Sequence, residues 1–287
     1  MQIRLVKTWR RYLLPGTLVL LLLTASGCVS DSMRYVFTYN RIENATPDTV
    51  GLPYEDVWFP ATDGVSLHGW FIPGSRPGPL LFFCHGNAAN ISYRVDILDY
   101  FHTRLGLPVF IFDYRGYGKS TGTPQTEADL YFDARGALAE LARRGWNPAQ
   151  MVFLGRSLGA GVALQMALEE PPAGLVLESP FTSLRDMAWR LRPLTFALFG
   201  ALSFGDPYDN LAKIPGLKVP LLIIQGDQDR IVPPTMPAEL YRRAPQPKRR
   251  VVVVGAGHSD SFQVAADTYL KTWEEFLASL TPPPSVP

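Results

Sequence analysis

The chain has 287 residues, 47% of them hydrophobic and 18% charged, and its 27 Lys and Arg against 26 Asp and Glu give a formal net charge of +1. That much apolar material suffices for a substantial core in one large domain or two small ones, while the balanced charge without a long basic run argues against a nucleic-acid partner. Two cysteines, Cys28 and Cys84, are too few for a disulfide framework, and four histidines without an HExxH or CxxC motif announce no metal site.

The first residues read as a targeting segment, outside the fold. Arg4, Lys7, Arg10 and Arg11 form a basic start, the stretch from Tyr12 to Gly27 is uncharged around Leu18-Val19-Leu20-Leu21-Leu22-Leu23, and the run ends in Thr24-Ala25-Ser26-Gly27-Cys28. Small residues directly before a cysteine resemble the bacterial lipobox, although Ala25 stands where Leu is commonest. The resemblance implies a signal peptide over 1–27, cleaved before a lipid-modified Cys28. The alternative is an uncleaved anchor, but spanning a bilayer takes about 20 apolar residues and this run is shorter. Val29 after the cysteine, where Asp would signal inner-membrane retention, resembles an outer-membrane sorting signal. The expected location is therefore the bacterial cell envelope, with the protein on the periplasmic or extracellular face and tied to the membrane through Cys28. With Cys28 acylated, Cys84 has no intramolecular partner and reads as a buried strand residue.

Residues 28–50 have no sustained period and read as a tether, in which the alternating Tyr35, Phe37 and Tyr39 could dock on the body. The runs Tyr54–Phe59 and Val65–Ile72 flank Thr62-Asp63-Gly64 and predict an antiparallel hairpin. From Leu80 onward, short apolar strands alternate with helical stretches. Leu80–Cys84 opens into His85-Gly86-Asn87, and Pro108–Phe112 opens into Asp113-Tyr114-Arg115-Gly116-Tyr117-Gly118. Thr126 with Asp129 resembles a capping box. Leu130, Ala134, Leu138 and Leu141 then share one helix face that Gly145 ends. Met151–Leu154, Gly174–Leu177, Val219–Ile224 and Arg250–Val254 complete the strands. A final helix carries Phe262, Ala266, Tyr269, Trp273, Phe276 and Leu280 at helical spacing. Near-continuous apolar strands between amphipathic helices predict one α/β domain over 51–280, with a mostly parallel sheet covered on both faces. The stretch 181–216 is longer than a crossover needs and rich in apolar bulk. It reads either as helices filling the core or as a cap over an active site. The tail 281–287, with Pro282-Pro283-Pro284, reads as a disordered end.

Gly155-Arg156-Ser157-Leu158-Gly159 lies between a buried strand and a helix-forming run and fits G-x-S-x-G, the nucleophile elbow. The turn requires residues without bulk two before and two after the serine, and it aims a helix N-terminus and the Leu158 N–H at an oxyanion. A parallel sheet presents its site at the carboxyl ends of its strands. There, Asp227 and Asp229 follow one strand, His258 follows the next, and Glu178 ends an earlier one. The order Ser, Asp, His and the motifs His85-Gly86-Asn87, Asp113 to Ser120, the elbow, Glu178 to Ser183, Gly226-Asp227-Gln228-Asp229 and Gly257-His258 resemble the α/β-hydrolase superfamily. More narrowly, they resemble its small lipase/esterase-like and depalmitoylating-thioesterase-like branch. The resemblance runs from about Asp56 to Ser279 and implies the α/β-hydrolase fold, a doubly wound sheet with an antiparallel N-terminal hairpin and a short helical cap.

The resemblance assigns Ser157 as nucleophile, His258 as base and Asp229 as the triad acid, with Asp227 and Glu178 as competitors. It places the oxyanion donors at the N–H groups of Leu158 and Asn87, and leaves His85 structural. His68 and His102 fall outside the motifs, as surface or strand residues. The implied reaction is cleavage of a carboxylic ester or thioester of a small-molecule or lipid-like apolar acyl substrate, without a cofactor. A histidine base predicts activity that falls as acid charges the ring. Acyl transfer to another acceptor, a peptidase of the prolyl-aminopeptidase type and a non-catalytic binding lipoprotein are the alternatives.

Overall fold

The structure is a computed structural model that describes residues 36–191 and 207–280. The expected signal peptide, Cys28, the tail 281–287 and residues 192–206 of the expected cap lie outside the described residues.

Eight strands among the described residues form one sheet: β1 (Glu55–Pro60), β2 (Ser66–Ile72), β3 (Leu80–Cys84), β4 (Val109–Phe112), β5 (Met151–Arg156), β6 (Gly174–Glu178), β7 (Leu221–Gly226) and β8 (Lys248–Val253), in the order β1-β2-β4-β3-β5-β6-β7-β8. β2 runs antiparallel to both β1 and β4, and every other pairing is parallel. β3, β5, β6 and β7 are buried along their whole length. Apolar layers on both faces require this, and it is why these strands show no alternation in sequence. The outer strand β8 is less buried and starts with Lys248-Arg249-Arg250, charges that keep a sheet edge from pairing further.

The described helices are α1 (Val95–Tyr100), α2 (Glu127–Arg143), α3 (Leu158–Glu169), α4 (Leu184–Leu191), α5 (Asn210–Lys213), α6 (Thr235–Arg243), α7 (Ser261–Val264) and α8 (Ala266–Ser279). Successive side chains along a strand face opposite ways. Accordingly Phe82 and Phe153 join the core under α2 and α3, while Phe83 and Leu154 join the one under α1 and α8. The capping box of α2 is present: Thr126 Oγ1 accepts from the Asp129 N–H at 3.3 Å, and Asp129 Oδ2 accepts from the Thr126 N–H at 2.7 Å. Its other end closes as a Schellman turn through Gly145 at φ 87°, with Trp146 N–H bound to the Leu141 carbonyl and Gly145 N–H to that of Ala142, each at 3.0 Å.

Three sequence expectations need correction. Residues 36–50 do not hang as a tether. Phe37 is buried in the core, Tyr39 makes a parallel bridge to Ala89, and Pro47–Val50 winds into a 3₁₀ turn. Phe37 buries its ring in the core, and the Asn87 and Asn90 side chains bind the backbone of Val36, Thr38, Asn40 and Ile42 on either side of it. The last helix starts at Ala266, because the chain breaks at Ala265 (φ −137°, ψ 58°) and Phe262 sits in the separate turn α7. The final strand begins two residues earlier, at Lys248, and ends at Val253 before the turn through Gly255 at φ 81°.

Candidate active site

At the carboxyl edge of the sheet, β5 passes through Ser157 into α3. Ser157 holds φ 54° and ψ −117°, a region that side-chain-bearing residues rarely occupy. Its N–H donates to the Glu178 carbonyl at 2.9 Å, which pins the turn to the end of β6. The flanking glycines are dictated by close approach. A Cβ on Gly155 would stand 2.4 Å from the Gly159 carbonyl oxygen, and one on Gly159 would stand 2.0 Å from that of Cys84. The start of α3 therefore rests directly on the end of β3, where the Cys84 thiol is fully buried.

Asp229 and His258 arrive from the loops after β7 and β8. His258 Nδ1 donates to Asp229 Oδ2 at 2.8 Å. The same oxygen accepts from Gln225 Nε2 at 3.0 Å, and Oδ1 accepts from the Ile231 and Val232 N–H groups at 2.9 Å each. Burial pushes the Asp229 carboxyl up, but the hydrogen bond and charge of His258 together with the two backbone N–H groups hold it below the usual carboxylate range. An ionised Asp229 fixes Nδ1 as the donor, so the neutral ring carries its acceptor at Nε2. The two competing acids are engaged elsewhere. Asp227 accepts from the Gly255 N–H at 2.7 Å. Glu178 is buried against Arg156, with Nε at 2.7 Å and Nη2 at 2.6 Å, and accepts from the Tyr269 hydroxyl.

Ser157, Leu158 and His258 line one cavity of about 480 Å³. Gly86, Asn87 and Ala88 form another part of its wall, and Phe181, Leu184, Met187, Ala188 and Ile231 make much of it apolar. Asp229 stands behind His258, with its side chain fully buried and that of His258 only 16% exposed. The Asn87 side chain is held by three partners: Oδ1 accepts from the Thr38 N–H at 3.1 Å and the Tyr117 hydroxyl at 2.7 Å, and Nδ2 donates to the Val36 carbonyl at 2.5 Å. Among the described residues, neither the Asn87 nor the Leu158 N–H has an acceptor on the chain. Every site residue expected from the motifs within the described region is thus at this cavity or directly behind it.

His85 lies outside the cavity wall. It is buried, and its Nδ1 donates to the Gly86 carbonyl at 2.7 Å while Nε2 lies 3.6 Å from Asp113. Burial drives the His85 ring down to about 3 and the Asp113 carboxyl up to about 8, so the pair is uncharged at neutral pH. His68 is buried in β2 and donates to Asp56 at 2.5 Å, and His102 is half-buried. Among the described residues no three His, Cys, Asp or Glu side chains cluster as metal ligands would.

Sequence reasoning missed four residues of the cavity wall: Val36 and Thr38, Arg156, and Arg94. The alternation Tyr35, Phe37, Tyr39 was the signal for the first two. Arg156 occupies a variable elbow position, and Arg94 follows the His-Gly-Asn loop without any motif.

The sheet order with its antiparallel first hairpin, the strained serine between strand and helix, and the paired acid and histidine on the loops after β7 and β8 define an α/β-hydrolase fold. The chain matches the protein family described as "Serine aminopeptidase, S33" over residues 75–204, and that described as "alpha/beta hydrolase fold" over 194–264. It is 39% identical over 228 residues to the uncharacterized protein Rv2307c of Mycobacterium tuberculosis, covering 77% of this chain and 78% of that one. It is 35% identical over 256 residues to the alpha/beta hydrolase domain-containing protein WAV2 of Arabidopsis thaliana, covering 83% and 82%. Among solved structures, the Pyrococcus furiosus esterase Pf2001 shares the fold with a TM-score of 0.70 at 24% identity, over 86% of this chain and 99% of that one. The chain belongs to the alpha/beta hydrolase family.

Proposed function

We propose that this protein is a serine hydrolase that cleaves carboxylic ester or thioester bonds of apolar acyl substrates. One observation carries the reading: a histidine bound to a buried, ionised carboxylate at 2.8 Å shares a largely apolar cavity with a serine on a strained elbow. In the mechanism, His258 Nε2 takes the Ser157 proton as Oγ attacks the carbonyl, and Asp229 keeps the ring in the required tautomer and balances the imidazolium. The Leu158 and Asn87 N–H groups receive the oxyanion. His258 then protonates the leaving alcohol or thiol, and water repeats the sequence to release the acid. The substrate is apolar on its acyl side because Leu184, Met187 and Ile231 face it. The reading includes attachment to the cell envelope through an acylated Cys28, supported by the uncharged run and small residues before that cysteine.

The test is labelling of the full chain with a fluorophosphonate probe beside Ser157→Ala, Asp229→Asn and Asp227→Asn. Labelling is expected in the wild type and in Asp227→Asn, weakened in Asp229→Asn and lost in Ser157→Ala. A folded wild type that takes up no probe would sink the reading. The match to a serine aminopeptidase family favours a second reading, cleavage of an N-terminal residue from a peptide. The site argues against it, because Arg94 on the cavity wall would repel a substrate ammonium. Nitrophenyl esters turned over faster than aminoacyl nitroanilides would decide for the ester reading, and the reverse for the peptidase.

A further inference from the structure

Arg94 differs from the other charged groups at the cavity in having no counter-ion. Arg156 is neutralised by Glu178 and His258 is matched to Asp229, whereas Arg94 makes no ion pair with any carboxylate of the described residues. Of the five N–H donors on its guanidinium, one is used on the chain itself, from Nη2 to the Ala88 carbonyl at 2.6 Å. Nε is buried without a protein partner, and Nη1 has no acceptor yet is not closed off from solvent. Asp113, the carboxyl that acts on it electrostatically, accepts instead from the Ile91 N–H at 2.9 Å. Burial and then the neighbouring Arg156 charge push the Arg94 guanidinium down to about 10, so the cation is held where it is poorly solvated. A poorly solvated guanidinium with spare donors is a site for a planar or tetrahedral anion. Through Ala88 it is fixed to the same loop that carries the Asn87 N–H.

We propose that Arg94 is the recognition residue for an anionic group on the substrate. The ester or thioester carries a carboxylate or phosphate that seats against Arg94 on the Asn87–Ala88 side of the cavity, while its apolar part lies against Leu184, Met187 and Ile231. The proposal rests on the reading of Ser157 as the acyl acceptor, and it narrows the substrates to acyl compounds that also carry a negative charge within reach of the same cavity. A role in steadying the oxyanion would touch every ester alike. Recognition touches only the charged ones, and this difference makes the two separable.

The experiment is equilibrium titration of the full chain bearing Ser157→Ala with two matched pairs: monomethyl suberate beside dimethyl suberate, and 1-hexanoylglycerol 3-phosphate beside 1-hexanoylglycerol. The charged member of at least one pair is expected to bind roughly tenfold or more tightly than its neutral partner. The pair that shows the gap tells carboxylate from phosphate. Adding Arg94→Gln should abolish the gap while leaving neutral affinity within about twofold, and Arg94→Lys should keep most of it. The unchanged neutral affinity certifies that the variants are folded, and the charged-versus-neutral comparison needs no Arg94 variant at all. No difference within either pair, including no binding by any of the four, overturns the proposal, as does equal weakening of all four by Arg94→Gln. The titration requires no turnover, so a failure of the hydrolase reading shows separately, as absent fluorophosphonate labelling of the wild type.

Discussion

Ser157 keeps its unusual backbone because two neighbours have no side chain, and each can be tested alone. A Cβ on Gly159 would meet the Cys84 carbonyl oxygen at 2.0 Å, a backbone atom that cannot rotate away. Gly159→Ala is expected to destabilise the fold by about 1–3 kcal/mol and to abolish probe labelling, read by urea unfolding and in-gel fluorescence. The glycines were legible in the sequence because the motif is local. The acid was legible only through the family resemblance, which favoured Asp229, because Asp227 and Asp229 follow the same strand two residues apart and residue type alone does not separate them. Asp229 accepts from His258, the Gln225 side chain and two backbone N–H groups, while Asp227 ties down Gly255. Asp229→Asn should therefore lower kcat on a nitrophenyl ester roughly a thousandfold or more. Asp227→Asn should instead cost about 1 kcal/mol of stability with kcat nearly unchanged. In the wild type Asp229 stays ionised on mild acidification, because its carboxyl is held below the usual carboxylate range. Activity should fall with decreasing pH and recover on return to neutral.

Helix α2 is the element the sequence described most completely, because its signals are local: a capping box, a one-face apolar period and a terminal glycine. Thr126→Ala removes the cap bond to Asp129 and should cost about 1 kcal/mol in the urea midpoint with esterase activity intact. What anchors α2 to the rest of the molecule was not legible. Arg115 reaches Asp63 in the first hairpin, Asp129 and the fully buried Asp133, at 2.8, 3.3 and 2.7 Å. These partners are scattered over 71 positions, counted from 63 to 133, so no sequence window contains them. Arg115→Met would leave Asp133 without a counter-charge and should destabilise by about 3–5 kcal/mol in urea unfolding. The break before α8 was hidden for the opposite reason. Phe262 meets Tyr100 edge-to-face and Tyr269 at a tilt, with ring centroids 5.7 and 6.4 Å away, so the apolar spacing continues although the helix does not.

Across the whole molecule, the parallel sheet and its two apolar layers followed from strand composition, and the packing of residues 36–50 did not, because few apolar residues mark it. The buried Asp113 couples the fold to pH. Its carboxyl is raised by burial to about 8, so the folded protein holds that proton more tightly than the unfolded chain. That contribution to stability is complete below about pH 4, the ordinary range of an unfolded aspartic acid, and is lost as pH rises through about 8. Between pH 5 and pH 9, urea unfolding of the wild type should therefore weaken more steeply than that of Asp113→Asn, which cannot ionise; parallel slopes would rule the coupling out. Cys84 lies one residue along the chain from His85, fully buried under the start of α3, and burial pushes its thiol up as well. Iodoacetamide can alkylate that sulfur only when the strand is exposed, so carbamidomethylation of the Cys84 peptide, timed by mass spectrometry, is an internal clock for opening of the sheet. A small molecule that fills the neighbouring cavity will slow the clock in proportion to its occupancy, which turns one native thiol into a turnover-free screen for ligands.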